Sequence, residues 1–127
     1  MPMTTMPDEN GLASVLSAQS KYDEAERFLR VAVTAVEAAC GPDSYEVAAA
    51  SDQLAELLAT TGRAEEAVTV YREVLRIKRA TVGPRHPEAL ETVHNLALLL
   101  DATGESDEAQ SLWSEARAAL AAPPDVA

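Results

Sequence analysis

The sequence predicts an all-α protein built as a solenoid of three antiparallel helical hairpins. Three observations predict it: a repeat at a fixed offset, apolar residues at steps of three and four, and an alanine-rich composition with only five aromatics (Tyr22, Phe28, Tyr45, Tyr71, Trp113). Sliding the chain by 42 residues lays Gly41-Pro42 on Gly83-Pro84 and superposes Asp23-Glu24-Ala25, Glu65-Glu66-Ala67 and Asp107-Glu108-Ala109. Between 41–68 and 83–110, 11 of 28 positions are identical, too ordered a match for compositional accident. A period of this size belongs to helical repeats, each of which buries its apolar face only when its neighbours stack on it.

The helices are expected at 8–19, 23–40, 44–60, 64–81, 86–102 and 106–121, in repeats of about 8–41, 42–83 and 84–122, with 1–7 disordered and 123–127 a tail. In the middle repeat, Val47, Ala50, Leu54, Leu57 and Leu58 carry the helical period, and Ala67, Val70, Tyr71, Val74, Leu75 and Ile77 resume it after Thr61-Gly62. Gly62 and Gly104 suit the left-handed residue that closes a first helix, and Gly41 and Gly83 the one that closes a second. Pro42 and Pro84 forbid continuation. Asp43 with Glu46 reads as a capping box, and His86 as a cap ahead of Pro87, where a first-turn proline loses no hydrogen bond. Tyr71 and Trp113 fall at a core position of the second helices, and Cys40 reads as a small buried hydrophobe.

Composition narrows the function. The 127 residues carry 21 acidic and 10 basic side chains, a formal charge of −11. Nucleic acid and anionic membrane surfaces both need clustered Lys and Arg, so neither is an expected partner. The most apolar run, Asn95–Leu100, is far too short to span a bilayer, and the N-terminus has no apolar segment of the secretory kind. One cysteine cannot form a disulfide framework, and a cytoplasmic location is the simplest expectation. Phosphate loops, zinc-binding His pairs and nucleophile elbows are absent from the sequence, and neither an enzyme nor a cofactor is expected. The best catalytic or metal-binding constellation, His94 with Asp52, Glu56 and Asp101, is one that chance readily produces in so acidic a chain.

The pattern Leu54-Ala55…Leu58…Gly62…Ala67…Tyr71, repeated as Leu96-Ala97…Leu100…Gly104…Ala109…Trp113, resembles the tetratricopeptide repeat. The long spacing, the link Val82-Gly-Pro-Arg-His-Pro-Glu88 and the following His94–Leu100 stretch are similar to the kinesin-light-chain type. The resemblance covers roughly residues 10–120. Repeat one departs most: Ser20 stands in place of Gly62 and Gly104, and Leu29 in place of Tyr71 and Trp113, so it is expected to fray or to act as a cap.

The resemblance implies a right-handed array whose first helices line a concave groove. Mapped onto this chain, the groove takes Asn10, Ser14 and Ser17, then Asp52, Gln53 and Glu56, then Glu91, His94, Asn95, Leu98 and Asp101. Asn95 aligns with the family asparagine that clamps a ligand's backbone, its amide offering both a donor and an acceptor. Gln53 is its counterpart in repeat two, and Gly11 in repeat one has no side chain for the purpose. Asp52, Glu56, Glu91 and Asp101 make the groove negative, with Leu98 and the His94 ring as its apolar element. A basic protein or peptide segment is the expected ligand, and the module an adaptor. The alternative is an accessory or regulatory subunit that pairs through its convex face or through the apolar terminal helix, as a homodimer or with another protein.

Overall fold

The computed structural model describes residues 7–121, with side chains from Ala18 onward. Five helices follow one another: α1 (Pro7–Cys40), α2 (Tyr45–Thr60), α3 (Ala64–Thr81), α4 (Pro87–Ala102) and α5 (Ser106–Ala121). Among the described residues no strand occurs. Each helix packs mainly on its neighbours in sequence, α1 on α2, α2 on α3, α3 on α4 and α4 on α5. This is an all-α solenoid, and α2 to α5 end within a residue of the expected bounds.

The expected first hairpin is not formed. Residues 7–40 run as one helix of 34 residues, about 50 Å long at 1.5 Å per residue. The two formed hairpins show why. Gly62 and Gly104 sit at φ +83° and +86°, and the chain reverses with Arg63 N–H donating to Leu58 O at 2.8 Å and Glu105 N–H to Leu100 O at 2.7 Å. That reversal needs a left-handed residue, which a glycine adopts without a Cβ penalty. Ser20 holds the same register position in the first repeat, and there the helix continues.

The other helix ends are locally determined. Ser44, not Asp43, caps α2, its Oγ accepting from Val47 N–H at 3.3 Å. Asp43 turns instead to Arg76 Nη2 at 2.6 Å, because a charged partner on α3 competes with the helix terminus for the carboxylate. His86 caps α4 as expected, Nδ1 accepting from Glu88 N–H at 3.1 Å.

One core joins α2 to α5 through Leu54, Leu58, Tyr71, Leu75, Leu96 and Leu100, and a smaller one holds Val47 and Ala48 against Val74 and Ile77. Tyr71 is buried, whereas Trp113 at the same register in the last repeat is half-buried, α5 being packed mainly on α4 among the described residues. Cys40 is exposed rather than buried, since it ends α1 beside the Gly41 turn. On α5, Ala116 is buried while Arg117, Ala118, Leu120 and Ala121 face out.

Candidate functional site

The face shared by α2 and α4 carries the chemistry. Tyr45 at the start of α2 donates its hydroxyl to Glu88 Oε1 on α4 at 2.6 Å, tying the two helices side by side. Beneath them lies Lys78 of α3, 4% exposed. Its Nζ donates to Thr92 Oγ1 at 3.4 Å and lies 4.0 Å from Asp52 Oδ2 and 3.9 Å from Glu88 Oε1. The Thr92 hydroxyl in turn donates to the Glu88 carbonyl. One ammonium thus faces two carboxylates, and Glu56 and Glu91 are close enough to act on Asp52.

Burial lifts the Asp52 carboxyl above the usual carboxylate range, and it outweighs the pull of Lys78; Glu91, Glu56 and Glu88 push in the same direction as burial. The Tyr71 hydroxyl is pushed up to about 12, first by burial and then by Asp52, Glu56 and Glu91. Tyr45 is raised as well, because the Glu88 carboxylate accepts its proton in a hydrogen bond. Beyond burial and the Tyr45–Glu88 hydrogen bond, all three shifts carry a further contribution from the negative charge over α2 and α4.

A raised carboxyl has a signed consequence for stability. Between its unfolded value of 3.8 and its raised folded value, Asp52 holds a proton when folded that it releases when unfolded, so stability falls as pH rises through that window. Asp52→Asn removes this slope. The thermal midpoint of the variant relative to the wild type is expected to rise as pH increases above the unfolded value of 3.8 and to level off once the raised folded value is passed. Glu26, Glu66, Glu73 and Glu108, lowered by hydrogen bonds from arginines, contribute in the opposite sense below their unfolded value of 4.5. They are common to both proteins and cancel in the difference.

The structure brings only part of the expected groove together. Asp52, Glu56 and Glu91 all act electrostatically on the Tyr71 hydroxyl, and Asp52 also lies 4.0 Å from Lys78 Nζ. Gln53 faces a separate hollow of about 490 Å³ between α1 and α2, which it lines with Glu56, Leu57, Thr60, Tyr22 and Leu29. His94 turns toward α5, its ring edge-on to Trp113 with centroids 5.7 Å apart. Asn95 is half-buried on α4, Leu98 is 54% exposed, and Asp101 is exposed in the last turn. Glu91, His94, Asn95, Leu98 and Asp101 recur at steps of three and four and so share one stripe of α4. The constellation of His94 with Asp52, Glu56 and Asp101 is not assembled, and among the described residues no three His, Cys, Asp or Glu side chains converge as a metal site would require. Asn10, Ser14 and Ser17 lie outside the described side chains.

Sequence reasoning missed Lys78, and with it Tyr45, Glu88 and Thr92, because only first-helix positions were mapped to the groove. A signal was present: the register position of Lys78 is Val36 in the first repeat and Leu120 in the third. A charge at an otherwise apolar position marks a buried polar site. Elsewhere, Arg72, Arg76 and Arg79 stand over Leu75, Leu96 and Leu112 around a hollow of about 510 Å³ on another face of α3. Each of those arginines is already engaged by a carboxylate, Glu108, Asp43 and Glu115 respectively.

The tetratricopeptide repeat profile matches residues 7–80 and again 47–122. The chain belongs to the tetratricopeptide repeat family. No curated protein matches it. Tetratricopeptide repeats generally mediate protein–protein interaction and typically act as non-catalytic scaffolds. The α2–α4 face described above is the first-helix face of this tetratricopeptide array. Among the described residues no helix is long and apolar enough to cross a membrane.

Proposed function

We propose that this chain is an adaptor whose α2–α4 face takes a basic, extended segment of another protein. The observation that supports this most is the concentration of acidic groups about Asp52, on which Glu56, Glu88 and Glu91 all act, with the buried Lys78 within 4.0 Å of Asp52 and Glu88. An incoming Lys or Arg relieves the mutual repulsion of these carboxylates and favours the charged form of Asp52, and complementary charge also steers encounter. Asn95, half-buried on the stripe of the exposed Leu98, is the candidate backbone clamp; Gln53 extends the surface toward α1, His94 toward α5 and Asp101 toward the C-terminal end of α4. The repeats are of the long kind found in kinesin light chains, with cytoplasmic work the expectation that goes with them.

An array of 12-residue peptides, probed with the wild type and with an Asp52→Asn, Glu91→Gln variant of equal helicity, tests the reading. Wild-type binding is expected to concentrate on Lys- and Arg-rich peptides, to fall about tenfold in the variant, and to weaken with salt as partly exposed charge pairs do. Binding without preference for basic sequences, or binding indifferent to both carboxylates, overturns it. The second reading, an accessory subunit that pairs through its terminal helix, is favoured by Leu120, 52% exposed at the end of α5. Leu120→Asp would abolish association on that reading and leave peptide binding intact on the first.

A further inference from the structure

In the two formed hairpins, the first helix covers a fixed set of positions on the second. On α3, Val74 and Ile77 are 0% and 1% exposed beneath Val47 and Ala48 of α2, and Val70 packs against both cores. On α5, Leu112 and Ala116 are buried in the same way. Forty-two residues earlier, the same register on α1 reads Phe28, Ala32 and Ala35. There Phe28 is 72% exposed, Ala35 is exposed and Ala32 is only half-covered. Beside them, Tyr22 and Leu29 line the open hollow between α1 and α2. The missing cover is a first helix.

The chain encodes that helix. Leu12, Ala13 and Leu16 stand at the register of Leu54, Ala55, Leu58 and of Leu96, Ala97, Leu100, and all six of those counterparts are buried. Yet residues 8–19 continue the same helix as the face they would cover, so within one copy they lie along it and not over it. Ser20 withholds the left-handed turn that Gly62 and Gly104 supply.

We propose that residues 8–19 of a second copy dock on the Phe28–Ala32–Ala35 face of α1, and reciprocally, forming a two-fold dimer by exchange of first helices. Exchange of an identical element reuses a packing solution already written into each chain, needs no new surface, and closes with both faces covered. The docked helix would border the Gln53 hollow between α1 and α2 and leave the α4 stripe and the terminal helix open, so the dimer would carry two peptide-binding faces on one particle.

Light scattering on the full chain is expected to give about twice the 13.5 kDa of one copy at micromolar concentration. Phe28→Asp, at an exposed position, is expected to give a single-copy mass with helicity retained, and Ser20→Gly to weaken dimerisation at least tenfold by permitting the internal hairpin. In a Cys40→Ser background, the pair Ala13→Cys and Phe28→Cys, counterparts of Ala55 and Val70 in one core, reports the source of the helix. A disulfide-linked dimer on a non-reducing gel supports exchange. An internal disulfide in a single copy, a single-copy mass for the wild type up to high micromolar concentration, or a dimer indifferent to Phe28→Asp overturns it.

Discussion

Leu100→Ala is expected to destabilise the array by about 3 kcal/mol, while Leu98→Ala, two residues away on the same helix, changes stability by less than about 0.5 kcal/mol. Leu100 is 0% exposed within the core that joins α3, α4 and α5, and Leu98 is 54% exposed. Truncating the buried side chain forfeits its transfer free energy and leaves a cavity between helices that are held on both sides and cannot collapse. In urea the midpoint of Leu100→Ala falls with the slope unchanged, and its thermal midpoint drops by about 10 °C or more. The exposed leucine instead belongs to the proposed binding stripe, so Leu98→Ala is read by loss of peptide affinity. A large stability cost at Leu98, or none at Leu100, would mean that the register of α4 against its neighbours is wrong.

The second large effect is expected at Lys78. Lys78→Met keeps most of the buried stem and removes the cation that lies within 4.0 Å of both Asp52 and Glu88. Breaking such a pair from one side leaves carboxylates without compensation in a partly desolvated site, which costs about 3 kcal/mol at neutral pH. The sign with pH follows. Without Lys78 the Asp52 carboxyl is raised further in the folded state, its protonation on acidification relieves the penalty, and the deficit of the variant shrinks as pH falls toward its unfolded value of 3.8. Binding moves the opposite way: a groove stripped of its internal cation holds a basic peptide more tightly, by about tenfold for one partly screened charge. Denaturation at pH 4 and pH 7 together with peptide titration at low salt checks both halves. A variant that loses stability equally at both pH values, with unchanged affinity, would show that Lys78 acts through its hydrocarbon stem alone.

The candidate site was legible in part, for a definable reason. Asp52, Glu56 and Glu91 were found because repeat register places first-helix residues on one face. Lys78 was not, because it belongs to a second helix and reaches that face from below. His94 shares the register of Asp52 yet pairs with Trp113, since α4 has a partly uncovered aromatic from α5 beside it where α2 has Lys78. Gln53 and Asn95 also share a register, but Gln53 opens onto the hollow beside α1 and Asn95 lies half-buried on the stripe. Equivalent positions in a repeat are equivalent only when the neighbours on both sides are.

What the sequence by itself determined is what short-range forces decide: helical period, the left-handed glycines at Gly62 and Gly104, the His86 cap, and the 42-residue register that lays Leu54 over Leu96. Each depends on residues within one or two turns, so it can be read along the chain. The tertiary structure alone decided which charges meet. The Lys78 cluster draws on α2, α3 and α4, residues 45 to 92, and the unbroken run of α1 leaves Phe28 uncovered through a choice between continuing a helix and closing a hairpin at Ser20. That choice balances local backbone strain against burial between segments far apart in the chain, and no local pattern records the balance.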